Sequence, residues 1–340
     1  MSKKISNLID NLLCNSSGAI DPQSAGYQFV IDTLSFIDSK VIEQKFYTVP
    51  IADFIPVDVG KAAFSSEIVK NLVFQTGGDF YAGDINANAG VGREATAGAF
   101  VEPTRIPTQL WQKKTTWGTV EIKQAAATGR WDVIEERIKS LKKDWDLGIQ
   151  KTAFLGHPYI KTMTGLINNA DCYGNRNTSI ITVPMSLMTM AQIKVVLAQM
   201  IAAYWKNSNY TALPDTFIMP STDFMGMADF VSDTYPLMTK IEAIKQMFKE
   251  ITGAANFKIG HVAYLQADKN SARNVNANRY ILYRNDPETL SMNIPIDFTM
   301  LPADTGDQVS WSQGAYGQYS GVLITRPLEV LYLDQTGTST

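Results

Sequence analysis

Residues for thiol and metal chemistry are scarce in this chain. Its 340 residues include two cysteines and two histidines. Cys14 and Cys172 lie far apart, and only His157 and His261 could join them as ligands. A disulfide framework or a structural zinc site needs more such residues at closer spacing. We therefore expect two free thiols in a reducing cytoplasm, no bound metal and no cofactor.

Recognisable catalytic patterns are also missing. His157 precedes a proline and His261 opens a predicted strand, and neither accompanies a serine elbow or a Cys–His pair in the sequence. Acidic side chains are scattered along the chain, so the sequence leaves carboxylate pairs open. This scarcity favours a structural or binding protein over an enzyme.

Charge of either sign is low. Charged residues make up 19% of the chain, and its formal net charge is −3. A dedicated reader of nucleic acid sequence normally carries a basic patch or stripe, which this balance argues against. Low charge suits a protein that hides surface in subunit contacts, because interface cores are depleted of charged residues.

No long apolar run is present. The most apolar stretch, residues 185–205, is interrupted by Gln192, Lys194 and Gln199. Such a stretch is too polar for a membrane span. The first residues, MSKKISNLIDNLL, contain lysines but no continuous apolar core, so we expect no secretory signal.

The most unusual feature that is present is a long segment without helical or strand periodicity, residues 75–108. It reads QTGGDFYAGDINANAGVGREATAGAFVEPTRIPT. Structureless loops of this length are uncommon in compact domains, and they usually are disordered or act outside their own fold. At about 3.3 Å per residue, the segment could reach tens of Å from the body. We therefore interpret it as a segment that neighbouring molecules complete.

Two small-ligand patterns occur inside this loop. The run GVGREA beginning at Gly90 matches a relaxed dinucleotide pattern, but it lacks the strand before it and the helix after it. The run DINANAG beginning at Asp84 spaces its oxygens as a calcium loop does, but lacks that loop's glycine and final glutamate. We interpret both runs as turn-forming, solvated parts of the loop.

A long amphipathic helix is predicted over about residues 130–152. Its apolar side chains recur at steps of three and four, while charged side chains occupy the other positions. Glu135 and Lys139 can pair across one turn. The predicted core face consists of Trp131, Ile134, Ile138, Leu141, Trp145 and Ile149.

The rest of the chain mixes helices and strands without regular βαβ alternation. Thr189 with Gln192, and Thr239 with Glu242, form potential capping boxes that each open a helix, and Gly253 can end the second helix. Strands are predicted over residues 110–123, 216–219, 261–265, 280–283 and 322–333. Apolar residues spaced by three and four between residues 5 and 13 indicate a short amphipathic arm. This order of elements indicates an α+β fold.

Three segments in the C-terminal quarter carry a family pattern. They read RYILYRNDPETLSM from Arg279, IPIDFTMLP from Ile294 and YSGVLITRPLEVLYLD from Tyr319. These patterns of apolar and proline positions resemble the ending of tailed-phage major capsid proteins. The order of elements agrees with that of this family over nearly the whole chain. Within the family, the chain resembles an encapsulin-like coat group with the Hong Kong 97-type fold.

The resemblance implies a division of the chain within this α+β fold. Residues 1–40 form an N-terminal arm, 41–65 the first part of a peripheral domain, 66–108 an extended β-hairpin loop, 109–182 the peripheral domain with its spine helix, 183–320 an axial domain, and 321–340 a return strand to the peripheral domain with the C-terminal tail.

The resemblance also implies a function. In that family the extended loop lies over a neighbouring subunit, and the axial region packs around five- and six-fold axes. We therefore expect a major capsid protein, not an enzyme, that self-assembles into hexamers and pentamers of an icosahedral head enclosing double-stranded DNA. The residues that we predict to contact the neighbour are Phe80, Tyr81, Arg93, Glu94, Phe100 and Arg105.

Further copies of the chain are the principal expected partners. The portal protein, and scaffold or decoration proteins where the particle uses them, are others, whereas packaged DNA is touched nonspecifically and no membrane is involved. The protein is expected in the virion capsid, after assembly in the host bacterial cytoplasm. An encapsulin-like compartment shell, and a cytoplasmic α+β enzyme with the glycine-rich loop as a lid, remain as alternatives.

Covalent joining of subunits is not expected. Some relatives crosslink a loop lysine to an asparagine of the next subunit. Here residues 71–112 contain no lysine, and Lys70 stands only at the base of the loop.

Overall fold

The computed structural model describes residues 47–76, 98–128, 132–231, 238–253, 256–270, 275–305 and 309–335. The predicted N-terminal arm, residues 1–40, and the two small-ligand patterns of the loop lie outside these ranges. Within the described ranges, none of the helices has the length and apolarity that a membrane crossing requires.

The described residues form a mixture of strands and helices, and the last six strands follow one another without an intervening α-helix. The strands are β1 Val57–Val59, β2 Glu67–Thr76, β3 Gly98–Gly118, β4 Arg176–Asn177, β5 Thr216–Pro220, β6 Lys258–Val262, β7 Arg279–Tyr283, β8 Leu290–Ile294, β9 Ile296–Met300, β10 Ser310–Ser320, β11 Val322–Ile324 and β12 Val330–Asp334. The α-helices are α1 Thr119–Thr128, α2 Asp132–Leu155, α3 Met190–Asn207, α4 Ser221–Gly226, α5 Lys240–Thr252 and α6 Ala267–Asn270. This mixture confirms the predicted α+β class.

A five-stranded sheet with the order β4-β12-β7-β5-β6 lies at the centre of the body. Every residue of β5, β7 and β12 is buried. Because successive side chains of a strand point to opposite faces, Phe217, Tyr280 and Leu331 lie in one apolar cluster, and Ile218 and Ile281 lie in another. The continuous apolar sequences of these strands follow from this double coverage.

Helices α3 and α5 cover one face of this sheet. The Thr189 side chain accepts the backbone N–H of Gln192, whose side chain accepts the backbone N–H of Thr189. Thr239 and Glu242 make the same reciprocal pair at the start of α5. Gly253 ends α5 with a φ of 67°, a left-handed conformation that glycine adopts without steric cost. Both predicted capping boxes and the predicted helix end are confirmed.

A four-stranded sheet with the order β2-β3-β10-β9 packs against the long helix α2. The Trp145 ring of α2 lies 5.3 Å from that of Trp111 on β3 and 5.8 Å from that of Tyr319 on β10. The long helix predicted over about residues 130–152 is thus present, and it continues to Leu155. A third sheet, of order β1-β8-β11, completes the described structure.

Two strands pair across the predicted domain limits. β10 lies within the predicted axial range but pairs with β3, from Ser310 opposite Gly118 to Ser320 opposite Thr108. β12 belongs to the predicted return strand but pairs with β7 and β4 in the five-stranded sheet. The paired segments lie about 50 to 210 residues apart along the chain, so local patterns do not reveal them.

The expectation that residues 75–108 have no regular structure was wrong at both ends. β2 continues through Thr76, and β3 begins at Gly98 and runs beyond Pro107. The first half of β3 contains many small residues and prolines, so its sequence lacks the apolar alternation that predicts a strand. Residues 98–107 of β3 pair only with β2 among the described residues, and such an edge tolerates the missing N–H of Pro103 and Pro107.

Three predicted strands had wrong limits. Residues 119–123 belong to α1 and not to the predicted strand 110–123. β6 spans Lys258–Val262, and a 3₁₀ turn, Ala263–Leu265, replaces the rest of the predicted strand 261–265. The predicted last strand, 322–333, is divided into β11 and β12 by a 3₁₀ turn that begins at Pro327, because proline cannot donate to a strand ladder.

Candidate intersubunit surface

A two-stranded hairpin extends beyond the four-stranded sheet. β2 and the N-terminal half of β3 pair from Glu67 opposite Pro107 to Thr76 opposite Gly98. β10 stops pairing with β3 at Thr108, where this hairpin begins. At about 3.4 Å per residue, its ten residue pairs span about 30 Å. An isolated two-stranded hairpin is marginally stable in water, so this one needs a surface to lie on.

The root of the hairpin has an inner and an outer face. Ile106 is buried and Lys70 half-buried, so their face is turned towards the body. The opposite face carries Val69, which is 44% exposed, and an exposed ion pair of 3.1 Å between Arg105 and Glu67. The outer face therefore offers both apolar and charged side chains to a neighbouring molecule.

Gln318 joins three segments at the hairpin root. It lies on β10 and is 1% exposed. Its Oε1 accepts the backbone N–H of Phe64 at 2.7 Å, and its Nε2 donates to the Ser65 carbonyl at 2.7 Å and to Thr108 Oγ1 at 2.9 Å. The Thr108 hydroxyl in turn donates to the Ser65 carbonyl. One buried amide thereby ties the turn before β2 to both β3 and β10.

The turn that Gln318 holds has an unusual backbone. Ala62 and Phe64 have φ values of 62° and 60°, a left-handed conformation that side chains with a Cβ disfavour. Phe64 is nevertheless 70% exposed, so burial of its ring does not stabilise this conformation. The hydrogen bond from its backbone N–H to Gln318 does.

Lys70 supports the hairpin from a second side. Its Nζ donates to Ser291 Oγ of β8 at 2.6 Å. Partial burial lowers the pKa of the Lys70 ammonium, and the Asp58 carboxylate opposes this effect. The hairpin is thus attached to β10 through Gln318 and to β8 through Lys70.

A second exposed surface lies on α3. Its buried side faces the sheet, whereas its outward side presents small and apolar residues at steps of three and four. We call this surface the α3 stripe; it consists of Ala191, Val195, Ala198, Ala202 and Trp205. A groove of about 470 Å³ adjoins it, lined by Thr182, Val183, Leu187, Met188, Ala191, Gln192, Val195 and Val196. Leu187 is 74% exposed and Val195 57%, and no charged side chain lines the groove.

The α2 residues predicted as a core face divide into three groups. Leu141, Trp145 and Ile149 are buried. Ile138 is partly buried and packs against Trp117 and Trp311. Trp131 lies outside the described residues, as does the side chain of Ile134. On the other side of the helix, Lys139 pairs with Glu135 at 2.7 Å, and Lys113 of β3 pairs with Asp144.

Most residues predicted to contact a neighbour lie outside the described ranges. These are Phe80, Tyr81, Arg93 and Glu94. Phe100 stands opposite Phe74 in the hairpin register, but its side chain is not described. Arg105 lies on the outer face of the hairpin root in its pair with Glu67. Intersubunit contact therefore stays a prediction for all six.

The histidines and the described cysteine make local contacts. His157 Nδ1 accepts the backbone N–H groups of Tyr159 and Ile160 at 3.2 and 3.1 Å. His261 Nδ1 lies 3.1 Å from Ser221 Oγ. Burial raises the pKa of the Cys172 thiol to about 12, so it is not a nucleophile at neutral pH. Within the described residues, no three His, Cys, Asp or Glu side chains are placed to hold a metal ion.

Sequence reasoning missed the residues that hold the hairpin. Gln318 is separated from Phe64 by 254 positions, and Ser291 from Lys70 by 221. A polar residue in a strand carries no local signal of such a partner. Gln318 lies in the predominantly buried end of β10. A buried polar side chain needs hydrogen-bond partners, so its burial, which only the structure shows, is what points to its role.

A family comparison matches most of the chain. The model of the family described as major capsid protein matches residues 95–336, which is more than half of the chain. No curated protein sequence matches the chain significantly.

Solved structures share the fold at low sequence identity. The capsid of Myoviridae phage XM1 is 15% identical with a TM-score of 0.69, over 88% of this chain and 96% of that one. A Mycobacterium phage Ogopogo chain is 13% identical with a TM-score of 0.56, over 89% and 99%. A Microbacterium phage Oxtober96 chain is 10% identical with a TM-score of 0.56, over 91% and 98%. The similarity to the XM1 capsid bears out the predicted Hong Kong 97-type fold.

Neither alternative to a phage capsid is favoured by these similarities. Both the matched family and the XM1 capsid are phage coat proteins. A cytoplasmic enzyme with a glycine-rich lid, and an encapsulin-like compartment, receive no comparable support. These similarities indicate that the chain is a structural protein of a capsid.

Proposed function

The chain belongs to the major capsid protein family, and from this premise we propose that its copies form hexamers and pentamers of an icosahedral phage head that encloses double-stranded DNA. Membership places the protein in the virion capsid, as a subunit of a homo-oligomeric shell.

The hairpin is the observation that carries the proposal. Among the described residues, its two strands pair only with each other over the ten positions of β2. A ribbon of this kind gains stability when it lies on a further surface. In a shell, the available surface is another copy of the chain, and contacts that repeat around an axis can close into rings. We therefore assign the hairpin the role of an intersubunit strap.

The α3 stripe supports a second contact between copies. Its small and apolar side chains allow close approach of a neighbouring surface, and its groove has no charge to desolvate. Residues 183–320 would then supply the contacts around the five- and six-fold axes. Residues 41–65 and 109–182, which include α2, would form the wall of the shell.

Other partners follow from the same proposal. With a net charge of −3, the chain would touch packaged DNA through scattered lysines and arginines at the phosphate backbone, without reading sequence. Assembly would take place in the host cytoplasm, with a portal protein at one vertex.

Negative-stain microscopy of the purified full chain tests this proposal. We expect closed, uniform shells. A variant in which a two-residue Asn-Gly turn joins Lys70 to Thr104 removes the free part of the hairpin, and we expect it to remain as folded subunits or small oligomers. Monodisperse monomers of the unaltered chain under all conditions would contradict shell assembly. Uniform shells from the shortened variant would contradict the strap.

A further inference from the structure

The direction of the hairpin is determined at its root. Beyond Lys70 and Thr104, the two strands pair only with each other as far as Thr76 and Gly98 among the described residues. These six further pairs span about 20 Å, so a tilt of about 10° at the root would move Thr76 by about 3–4 Å. A shift of that size breaks hydrogen bonds, whose donor–acceptor distances are held within a few tenths of an Å.

Two side chains oppose such a tilt from different directions. Gln318 holds the turn before β2 through Phe64 and Ser65, and holds β3 through Thr108. It stands on β10 opposite Leu110, two pairs before β3 exchanges its partner β10 for β2. Lys70 lies three positions after Glu67, the first residue of β2, and its Nζ donates to Ser291 Oγ on β8. Because the attachments lie on different sheets, neither alone fixes the tilt, whereas both together do.

We propose that Gln318 and Lys70 are positioning residues for shell assembly, which set the direction in which the hairpin leaves the body towards the neighbouring copy. This inference rests on the strap function proposed above. On this view the uniformity of the shell depends on two side chains that are turned towards the body of their own subunit. The left-handed backbone at Ala62 and Phe64 belongs to the same device, because Gln318 holds that turn in its strained conformation.

Near-isosteric variants of the full chain test the inference. Gln318→Leu keeps the volume of the side chain and removes its three hydrogen bonds, and Lys70→Met keeps the apolar stem and removes the ammonium. The matched controls are Gln313→Leu, on the same strand as Gln318 with its amide bonded to the Leu301 carbonyl, and Lys114→Met, an exposed lysine of β3. Shell diameters are measured by electron microscopy, and subunit folding by thermal melting.

We expect both root variants to fold and to assemble, with the proportion of open or irregular particles raised about tenfold or more, because each variant loses at least one hydrogen bond at the root. Hydrogen exchange at the Phe64 amide should rise by about the same factor in Gln318→Leu. Both controls should give uniform shells.

Uniform shells of normal diameter from both root variants would overturn the inference. If Gln318→Leu fails to fold, Lys70→Met decides by itself, because its altered group lies at the half-buried hairpin root and not in the core. The shortened hairpin described above separates the two proposals. Uniform shells from that variant reject the strap, whereas its failure to assemble beside uniform root variants rejects only the positioning role.

Discussion

Trp145 lies against the bare backbone of Gly317, where a side chain would collide with its indole ring. A Cβ built on Gly317 would stand 2.6 Å from Trp145 Cζ3 and 3.0 Å from Cζ2. The glycine thus lets α2 approach β10 closely, and this contact joins the long helix to the sheet that bears the hairpin. The packing of α2 against β10 therefore requires a residue without a side chain at position 317.

Gly317→Ala should therefore destabilise the subunit. Overpacking of a well-packed site costs about 1–3 kcal/mol, which should appear as a lower free energy of unfolding in urea. The matched control is Gly314→Ala on the same strand, whose Cβ would meet Leu301 Cδ1 at an ordinary 3.5 Å. The control should be neutral or slightly stabilising. Equal stabilities for the two variants would contradict the packing role of Gly317.

A buried ion pair joins β7 to β12. Arg279 donates to both carboxylate oxygens of Asp334 at 2.6 and 2.8 Å, and the two side chains are 1% and 2% exposed. Burial opposes the charge of Arg279, but Asp334 outweighs this effect and raises its pKa. Asp334→Asn leaves the guanidinium without a full counter-charge, so we expect a loss of about 3–5 kcal/mol in the free energy of unfolding.

An exposed pair provides the control for that change. Glu288 pairs with Arg326 at 2.8 Å, and its side chain is 70% exposed. Glu288→Gln makes the same chemical change at the surface, where ion pairs contribute about 0–1 kcal/mol. Urea unfolding of both variants should separate them clearly. Similar losses would mean that the Arg279–Asp334 pair contributes no more than a surface pair.

Stability should fall steeply at alkaline pH. Burial raises the pKa of Tyr283 and Tyr332 well above 10.0, and it also raises the pKa of Tyr204 and Tyr280. Above about pH 10 the unfolded chain loses these protons and the folded chain keeps them, so each group reduces stability by about 1.4 kcal/mol per pH unit. The buried Cys172 thiol, with its pKa raised to about 12, acts in the same direction from about pH 9.

Tyrosinate absorbance at 295 nm measures this effect. We expect the buried tyrosines to ionise together with unfolding, in one cooperative step. Circular dichroism recorded in parallel should change in the same step. Gradual titration of every tyrosine in a protein that stays folded would contradict the assignment.

The α3 stripe should tolerate a charge in the subunit but not in the shell. Val195→Lys places an ammonium on a residue that is 57% exposed, so thermal melting of the subunit should be unchanged. An unpaired charge buried in a contact costs about 2 kcal/mol or more, which is about thirtyfold in each contact's dissociation constant. Light scattering should then show assembly only at much higher protein concentration.

Gln199→Lys is the control for the stripe. Gln199 is exposed on the same helix and lies outside the stripe as defined, so assembly of this variant should resemble that of the unaltered protein. Normal assembly of Val195→Lys would exclude the stripe from the contacts between copies.

Intact particles should dissociate fully into single chains in denaturant. Residues 71–112 contain no lysine, and Lys70 is held at the root by Ser291. A denaturing gel of purified particles should show one band near 37.6 kDa. A ladder of higher bands that survives reduction would show covalent joining between subunits and contradict the noncovalent strap.

Several features follow from the sequence alone because their causes are local. The capping boxes at Thr189 and Thr239 need only a partner three residues away, and the long helix needs only apolar residues at steps of three and four. The buried strands around Ile218 and Ile281 are visible as short apolar runs. The small numbers of cysteines, histidines and charged residues also follow from the sequence alone, and they argue against a disulfide framework, a structural zinc site and a reader of nucleic acid sequence.

The tertiary structure decided what depends on partners far apart along the chain. The residue pattern of 98–107 does not by itself predict a strand, and only the family resemblance implied the extended hairpin. Pairing with β2 is what makes these alanines, glycines and prolines a strand. Three other contacts join segments that are separated by well over a hundred residues. They are the pairing of β10 with β3, the packing of Trp145 on Gly317, and the hydrogen bond from the Phe64 backbone N–H to the Gln318 amide. Local propensity carries no information about such contacts, whereas packing and hydrogen-bond satisfaction select them in the folded chain.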